Sequence, residues 1–299
     1  MFDIVILTDN RYINPKKNDW YTNQVLLEDK ILKNKLENIG LNVCKIDWAN
    51  PDFDWKSSKY AIFRSTWDYF ERFDEFFSWI EQTQHKINFI NTSEIINWNI
   101  DKHYLRDLEI KGINITPTIF IEKNDKITLK QLFNKTKWTE AVIKPVISGA
   151  ARHTYRLDRN NYSKYKRIFQ HLIKNEGMMF QEFMQDITLK GEISIILIGG
   201  KYTHAVRKTA KIDDFRVQDD HGGKVEKYDA THEEIKFANE CIKKCPFFPI
   251  YARVDIVYNN SNKLSLIELE LIEPELWFRN NPQSAKILAE EIFRLISSK

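Results

Sequence analysis

Apolar positions along the chain come in short blocks, some with the two-residue repeat of strands and some with the three-to-four-residue repeat of helices. Residues 2–7 (FDIVIL) have the pattern of a buried strand and close on the turn-forming Thr8-Asp9-Asn10. Residues 26–39 are apolar at helical spacing and stop at Gly40, which suits a left-handed helix end. A strand over 41–46, a short one over 60–63, an amphipathic helix over 73–83 and a strand end at 89–91 follow. The order strand, helix, strand, strand, helix, strand predicts a small parallel α/β unit.

Beyond residue 100 the pattern changes. Residues 100–111 predict a helix stopped by Gly112, and Thr116-Pro117-Thr118 opens a strand. Residues 142–145 form a strand that ends near its proline. Further strands are expected at 178–183 and 193–197, the latter with a hairpin partner at 202–206 across Gly199-Gly200. A second hairpin joins 253–258 to 264–272, and 282–296 is a terminal helix. This part reads as α+β with mostly antiparallel strands. Asn97, Asn99, Asn160 and Asn161 read as solvated loop positions.

A length of 299 residues allows about two domains. With 42% apolar residues and 39 aromatic ones (8 Trp, 12 Tyr and 19 Phe), the chain has ample surface to bury and is not disordered. No apolar run approaches the ~20 residues of a membrane helix, and no basic region precedes an apolar stretch at the start. The expectation is a soluble, cytoplasmic protein without a membrane partner. A net charge of +3 lacks the basic footprint of a nucleic-acid binder. Three cysteines are too few for a disulfide framework, and Cys241 and Cys245 lack the further ligands a zinc site needs.

Three stretches carry candidate chemistry. In residues 142–156 (VIKPVISGAARHTYR) a strand delivers Lys144 to a loop of small residues, Ser148, Gly149, Ala150 and Ala151. Such a loop lets backbone N–H groups approach an anion, with the lysine as a point charge. Lys102 is a second basic residue, just after Asp101. The loop matches neither the P-loop nor the dinucleotide fingerprint, and each lysine alone reads as a surface residue. In the second stretch, Gln181-Glu182-Phe183 ends a strand, with Asp186 and Glu192 downstream. A strand-end amide can read a purine edge, and a nearby carboxylate can hold ribose hydroxyls. In the third, alternation puts Glu268 and Glu270 on one face of a strand, with Asp255 on its neighbour able to face the same side. Three converging carboxylates would repel unless cations sit among them, and an all-oxygen site suits Mg²⁺.

Taken in order, Lys102, Lys144-Pro145, Gln181-Glu182-Phe183, Asp255 and Glu268-x-Glu270 resemble the ATP-grasp superfamily. Residues 206–210 (VRKTA), Asp214-Phe215-Arg216 and Gly222-Gly223 are similar to the basic segment and loop of its glutathione synthetase branch. Arg64-Ser65-Thr66-Trp67-Asp68-Tyr69 and residues 268–274 (ELELIEP) resemble a smaller group that includes the cyclo-ligase closing O-ureidoserine to cycloserine. The likeness runs from about Asp3 to the final helix. It departs from the common pattern at Glu268-x-Glu270, where many members have Glu-x-Asn, and at Arg207-Lys208, which commonly reads Lys-Arg.

The resemblance implies an ATP-grasp fold. An N-terminal parallel α/β domain would span 1–96, a central small α+β lid domain 97–180, and a mainly antiparallel α+β domain with the metal site 181–299. It implies an ATP-dependent ligase that phosphorylates a carboxylate, joins it to an amine or related nucleophile, and releases ADP and phosphate. The substrate is amino-acid-like or a peptide, the product an amide or ring, and a homodimer is allowed. Lys102, Lys144, Ser148, Gly149, Ala150, Gln181, Glu182, Phe183, Asp186 and Glu192 would bind ATP. Asp255, Glu268 and Glu270 would bind one or two Mg²⁺, with Mn²⁺ able to substitute. Arg253, Arg207, Lys208 and Arg216 would serve the transferring charge. Residues 211–229 would form a mobile lid. Arg64, Ser65, Thr66 and Asp68 would contact the substrate; the alternative reading of this stretch is that Trp67 and Tyr69 are core aromatics. The alternatives are an ATP-grasp kinase, a non-catalytic nucleotide-binding protein, or outside the family a soluble α/β binding protein.

Overall fold

The structure is a computed structural model that describes residues 1–16, 19–211, 216–217 and 222–298. Three sheets organise it. The first contains β1 (Phe2–Thr8), β2 (Val43–Asp47), β3 (Ser58–Ser65) and β4 (Asn88–Ile90), all parallel in the order β2-β1-β3-β4, with α1 (Trp20–Asn38) and α2 (Phe73–Thr83) between them. Most of β1 and β3 is buried, as a parallel sheet covered on both faces requires. α1 begins six residues before the helical spacing predicts, because Asp19 caps it by accepting the Thr22 N–H at 2.8 Å.

Next come α3 (Ser93–Asn99), α4 (Tyr104–Ile110), β5 (Thr118–Ile121), α5 (Leu129–Thr136), β6 (Glu140–Pro145), β7 (Tyr155–Asp158), α6 (Lys166–Asn175) and β8 (Met178–Glu182). Their strands form an antiparallel sheet in the order β5-β8-β6-β7. The expected helix over 100–111 starts only at Tyr104. Residues 101–103 form a turn, in which the Asp101 carboxylate accepts the His103 N–H and the Lys102 N–H donates to Val146 O at 2.9 Å.

The last part contains α7 (Asp186–Leu189), β9 (Glu192–Ile198), β10 (Lys201–Thr209), β11 (Lys224–Tyr228), α8 (His232–Lys243), β12 (Tyr251–Tyr258), β13 (Leu264–Glu270) and α9 (Pro282–Ser297). Its five strands are antiparallel in the order β11-β10-β9-β12-β13. β11 corrects the expected lid over 211–229, since residues 224–228 pair with Ala205–Thr209. Asp214 and Phe215 lie outside the described residues.

The expected division at 180 falls inside β8. Residues of α3 and α4 pack into the core of the third sheet, among them Ile95, Leu105 and Leu108. No described helix is long and apolar enough to cross a membrane.

Buried side chains bolt the first sheet to the last. The Asn91 amide donates to Tyr251 O and Leu271 O and accepts from the Ile250 N–H. Asn99, expected in solvent, is buried and bonds Leu269 O and the Leu271 N–H, both at 2.8–2.9 Å. An amide replaces the strand partner that β13 lacks on this edge. Glu28 accepts the N–H groups of Leu276 and Phe278 and pairs with Arg64 at 3.1 Å.

Candidate nucleotide and substrate site

Alternation on β9, β10, β12 and β13 gives one face of the third sheet two characters. At one end Ile196, Ile198, Val206 and Tyr251 pack on α9 and the first sheet. At the other end Glu192, Ser194, Lys208, Arg253, Asp255, Glu268 and Glu270 stand together. The register sets Lys208 opposite Glu192, Arg253 opposite Glu270, and Asp255 opposite Glu268 and Ser194. The other face is apolar and packs on α4 and α8.

Over the charged half lies a cavity of about 640 Å³, roofed by Val142, Lys144 and Gln181 of the second sheet. Lys102 and Lys144 reach across to Glu268, with Nζ atoms 3.1 Å and 3.9 Å from its two oxygens. Lys208 pairs with Glu192 and lies 3.1 Å from Asp255. Arg253 pairs with Asp255 at 2.9 Å and also with Glu270. Ser194 bonds Asp255 at 2.5 Å. The carboxylates are thus interleaved with cations before any ligand arrives.

The electrostatics follow from this alternation. Burial opposes the charge on Asp255, yet Arg253 and Lys208 hold it well below the ordinary carboxylate range. Burial also opposes the Glu268 charge, and Lys102 and Lys144 outweigh it, so its pKa falls. Burial pulls the Lys208 ammonium down, but Asp255 and Glu192 carry it above its usual value. Lys144 is lowered, chiefly by burial. Glu270 is raised by burial and by Asp255, Glu268 and Glu273, which Arg253 does not offset.

Beside Asp255, the carboxylates Glu192, Glu268, Glu270 and Glu273 stand among the cations Lys102, Lys144, Lys208 and Arg253, and Arg11, Arg152 and Arg216 also line the cavity. A polyphosphate entering here adds negative charge, so a cation must accompany it. The donor set is all oxygen, which fits Mg²⁺. Asp255, the third carboxylate expected there, bonds Arg253, Lys208 and Ser194, and among the described residues no group of three or more His, Cys, Asp or Glu is arranged to hold a metal. Glu268 and Glu270 are the partly exposed carboxylates that fit a metal sharing its shell with phosphate.

The small-residue loop closes one side. Ala150, Ala151 and, beyond Arg152, His153 have φ of 46°, 54° and 49°, left-handed conformations that cost roughly 1 kcal/mol or more per residue. A side chain at Gly149 would sit 2.6 Å from the Phe70 ring. Ser148, Gly149 and Ala150 line the cavity, and Lys102 Nζ donates to Ser148 O.

Several expected residues lie elsewhere. Arg64, Ser65, Thr66 and Asp68 do not line the cavity. Arg64 is 2% exposed, bonded to Glu28 and Pro274 O and flanked by the rings of Tyr251 and Phe278. Ser65 bonds Asp29, Thr66 is fully buried, and Asp68 accepts from Trp48 and Arg72. Their neighbours Trp67 and Tyr69 line the cavity. Glu182 accepts from Asn260, Phe183 packs under Arg156, and Asp186 pairs with Lys190; none of the three lines the cavity. Arg207 points to the opposite face from Lys208 and stacks on Tyr228. Arg216 lines the cavity. The sequence reading missed Tyr12, Tyr21, Arg152, Glu273 and Trp277. Trp277, at φ 46°, carries its ring over Arg253 and Lys208 at 5.1 and 5.8 Å.

Fold and cavity together define an ATP-grasp protein, and the chain is an ATP-dependent ligase of that superfamily. Residues 4–91 match the family model of the D-cycloserine synthetase DcsG N-terminal domain, and residues 108–248 that of the prokaryotic glutathione synthetase ATP-grasp domain. The cycloserine biosynthesis protein DcsG of Streptomyces lavendulae is 25% identical over 252 residues, covering 80% of this chain and 83% of that protein. The crystal structure of D-cycloserine synthetase DcsG superposes with a TM-score of 0.87 at 21% identity, over 98% of this chain and 99% of that one. D-alanine–D-alanine ligase from Bacillus anthracis superposes at 0.67 with 14% identity, over 100% and 99%.

Proposed function

We propose that the chain activates the carboxylate of a small amino-acid-like or peptide substrate as an acylphosphate and joins it to a nitrogen nucleophile, forming an amide or a ring. One observation carries this reading: Lys102, Lys144, Lys208 and Arg253 line one cavity beside Glu268 and Glu270, with a strained small-residue loop at its edge. Transferring a phosphoryl group between two anions requires that array of cations. The nucleotide base sits between Val142 and Gln181 of the second sheet and Ile267 of β13. Lys102, Lys144 and the backbone of 148–150 hold its phosphates. Glu268 and Glu270 hold one or two Mg²⁺, which neutralise phosphate charge when bound. Lys208 and Arg253 face the transferring group, fixed by Asp255 and Glu192. Arg216 closes on the substrate carboxylate or phosphate. The second sheet, from about residue 116 to Glu182, acts as the lid over the third, and the parallel domain supplies one wall of the acceptor pocket. The cytoplasm is the compartment where ATP is available to it.

The test is an ADP-release screen over amino acids and peptides with hydroxylamine present. A carboxylate-dependent hydroxamate identifies the ligase and its substrate together. ADP formed with a stable phosphorylated product and no hydroxamate identifies a kinase.

A further inference from the structure

We infer that Trp277 is a positioning residue: its indole face clamps Arg253 and Lys208 where the transferring phosphoryl group needs them, and Glu28 of the first domain holds the indole there. This rests on the ligase reading and names what aims the cations of that same cavity.

The inference starts from the backbone. Trp277 has φ 46°, in the left-handed region that glycine takes freely and a bulky side chain avoids. Such a conformation persists only where neighbouring contacts over-determine it. Here they do. The Glu28 carboxylate accepts the N–H of Leu276 at 2.6 Å and that of Phe278 at 2.9 Å, one on each side of Trp277. Arg64 Nη2 donates to Pro274 O at 2.9 Å, His204 Nε2 bonds Leu276 O at 3.0 Å, and Trp277 O accepts the Asn280 N–H at 2.8 Å. Glu28 lies on α1 and Arg64 on β3, so the first domain grips a turn that belongs to the third sheet's cavity.

That turn presents the ring to two cations. Trp277 is 2% exposed and lines the cavity, with its ring centre 5.1 Å from the Arg253 guanidinium carbon and 5.8 Å from Lys208 Nζ. Its Nε1–H meets no acceptor among the described residues, so no hydrogen bond of its own accounts for the ring's place. Arg253 and Lys208 both bond Asp255, at 2.9 and 3.1 Å, and repel each other. Each also has a carboxylate of its own to turn to, Glu270 for Arg253 and Glu192 for Lys208. An aromatic face within about 6 Å attracts a cation and is worth most where water is excluded. One ring over both cations offsets their repulsion and keeps them together beside Asp255. Cations fixed in advance need no rearrangement when charge moves onto the transferring group.

The experiment replaces Trp277 with Phe, which keeps an aromatic face, and with Leu, which fills apolar space without one. A second series places mono-, di- and trifluorotryptophan at the same position, draining charge from the ring face at nearly constant shape. Turnover is read in the hydroxylamine assay, with the carboxylate that assay selects. W277L should lose about thirtyfold or more in kcat with the KM for ATP within about threefold, and W277F should stay within about fivefold. Across the fluorinated series kcat should fall stepwise, to about a tenth at the trifluoro ring, at an unchanged melting temperature. Equal losses in W277F and W277L, a loss confined to KM, or a flat fluorinated series overturns the proposal. The second readout needs no turnover. In ¹⁵N-arginine-labelled full-length protein the Arg253 Nε–H resonance is assigned by its loss in R253K. The ring face should hold that proton upfield and slow its exchange with water in wild type and W277F; in W277L it should lose the upfield shift and exchange at least tenfold faster. The same shift and rate in W277L overturns the clamp. If W277L does not fold, the fluorinated series is read in both assays, and a flat kcat with an unmoved Arg253 resonance overturns it. A failed ligase reading is seen as no hydroxamate with any carboxylate, and the Arg253 resonance then decides the clamp by itself.

Discussion

Replacing Glu268 with Gln separates two physical pictures of the acidic face. Three bare carboxylates would repel, and removing one would stabilise the empty protein. In the structure Glu268 instead holds Lys102 at 3.1 Å and Lys144 at 3.9 Å, with those lysine side chains only 8% and 11% exposed. E268Q leaves both ammoniums in the interior without their main counter-charge. Breaking a buried pair this way costs about 3–5 kcal/mol. Glu268 is itself 25% exposed and Gln keeps an acceptor oxygen, so about 2 kcal/mol is expected. That is a drop in melting temperature of roughly 4–8 °C without ligand. Added ATP and Mg²⁺ should narrow the gap, because phosphate oxygens replace the missing anion. Turnover should fall about a hundredfold or more, close to 3 kcal/mol of barrier. Thermal melts with and without nucleotide, beside steady-state ADP release, give both numbers. A variant that melts at or above wild type when empty refutes the interleaved-charge picture. A variant that loses stability but keeps full Mg²⁺-dependent turnover removes Glu268 from the chemistry.

K208M should cost at least a hundredfold in turnover, since it strips the counter-charge from Asp255 and Glu192, whereas R207M should stay within about threefold, because Arg207 faces away; equal losses would refute the assignment of sides. R64M should lower stability by about 3 kcal/mol in urea unfolding by stranding Glu28, with substrate KM unchanged in the folded fraction; a large KM rise at constant stability would restore Arg64 to the substrate. His204, pulled down to about 4 by burial, stays neutral in the fold where the unfolded chain charges near 6.5. The unfolded state therefore binds more protons below about pH 6.5, and stability is lost as pH falls toward 4. H204Q, able to keep the bond to Leu276 O, should flatten that loss by about 2–3 kcal/mol between pH 7 and 4.5, measured as the difference in urea midpoints at constant slope; parallel profiles would refute it.

The strand patterns were legible because burial imposes them directly. The parallel order around β1, the hairpins β9–β10 and β12–β13, and the common face of Glu268 and Glu270 all follow from a two-residue repeat. The helix α5 was missed although it begins with a capping box, Thr128 with Gln131, a signal that was present in the sequence. β7 and β11 carry too few buried positions for any apolar pattern.

The site was legible as a list of residues but not as a pairing scheme. Alternation places Arg253 and Asp255 on one face of a strand, yet only the register sets Arg253 against Glu270 and Asp255 against Glu268. Register is fixed by packing of the opposite, apolar face, so the charges inherit their partners from residues that take no part in chemistry. The same logic explains where the expected substrate residues lie. Residues 58–65 are buried on both faces, so a polar side chain near the end of β3 finds its partners inside the domain, as Arg64 does in Glu28. Only past the strand end, at Trp67 and Tyr69, does the chain turn its side chains toward the cavity. Aromatic residues there looked like core because they are half core: Tyr69 is 5% exposed and still lines the cavity. Residues that pack in the core and line a cavity at once carry no distinct mark in a sequence.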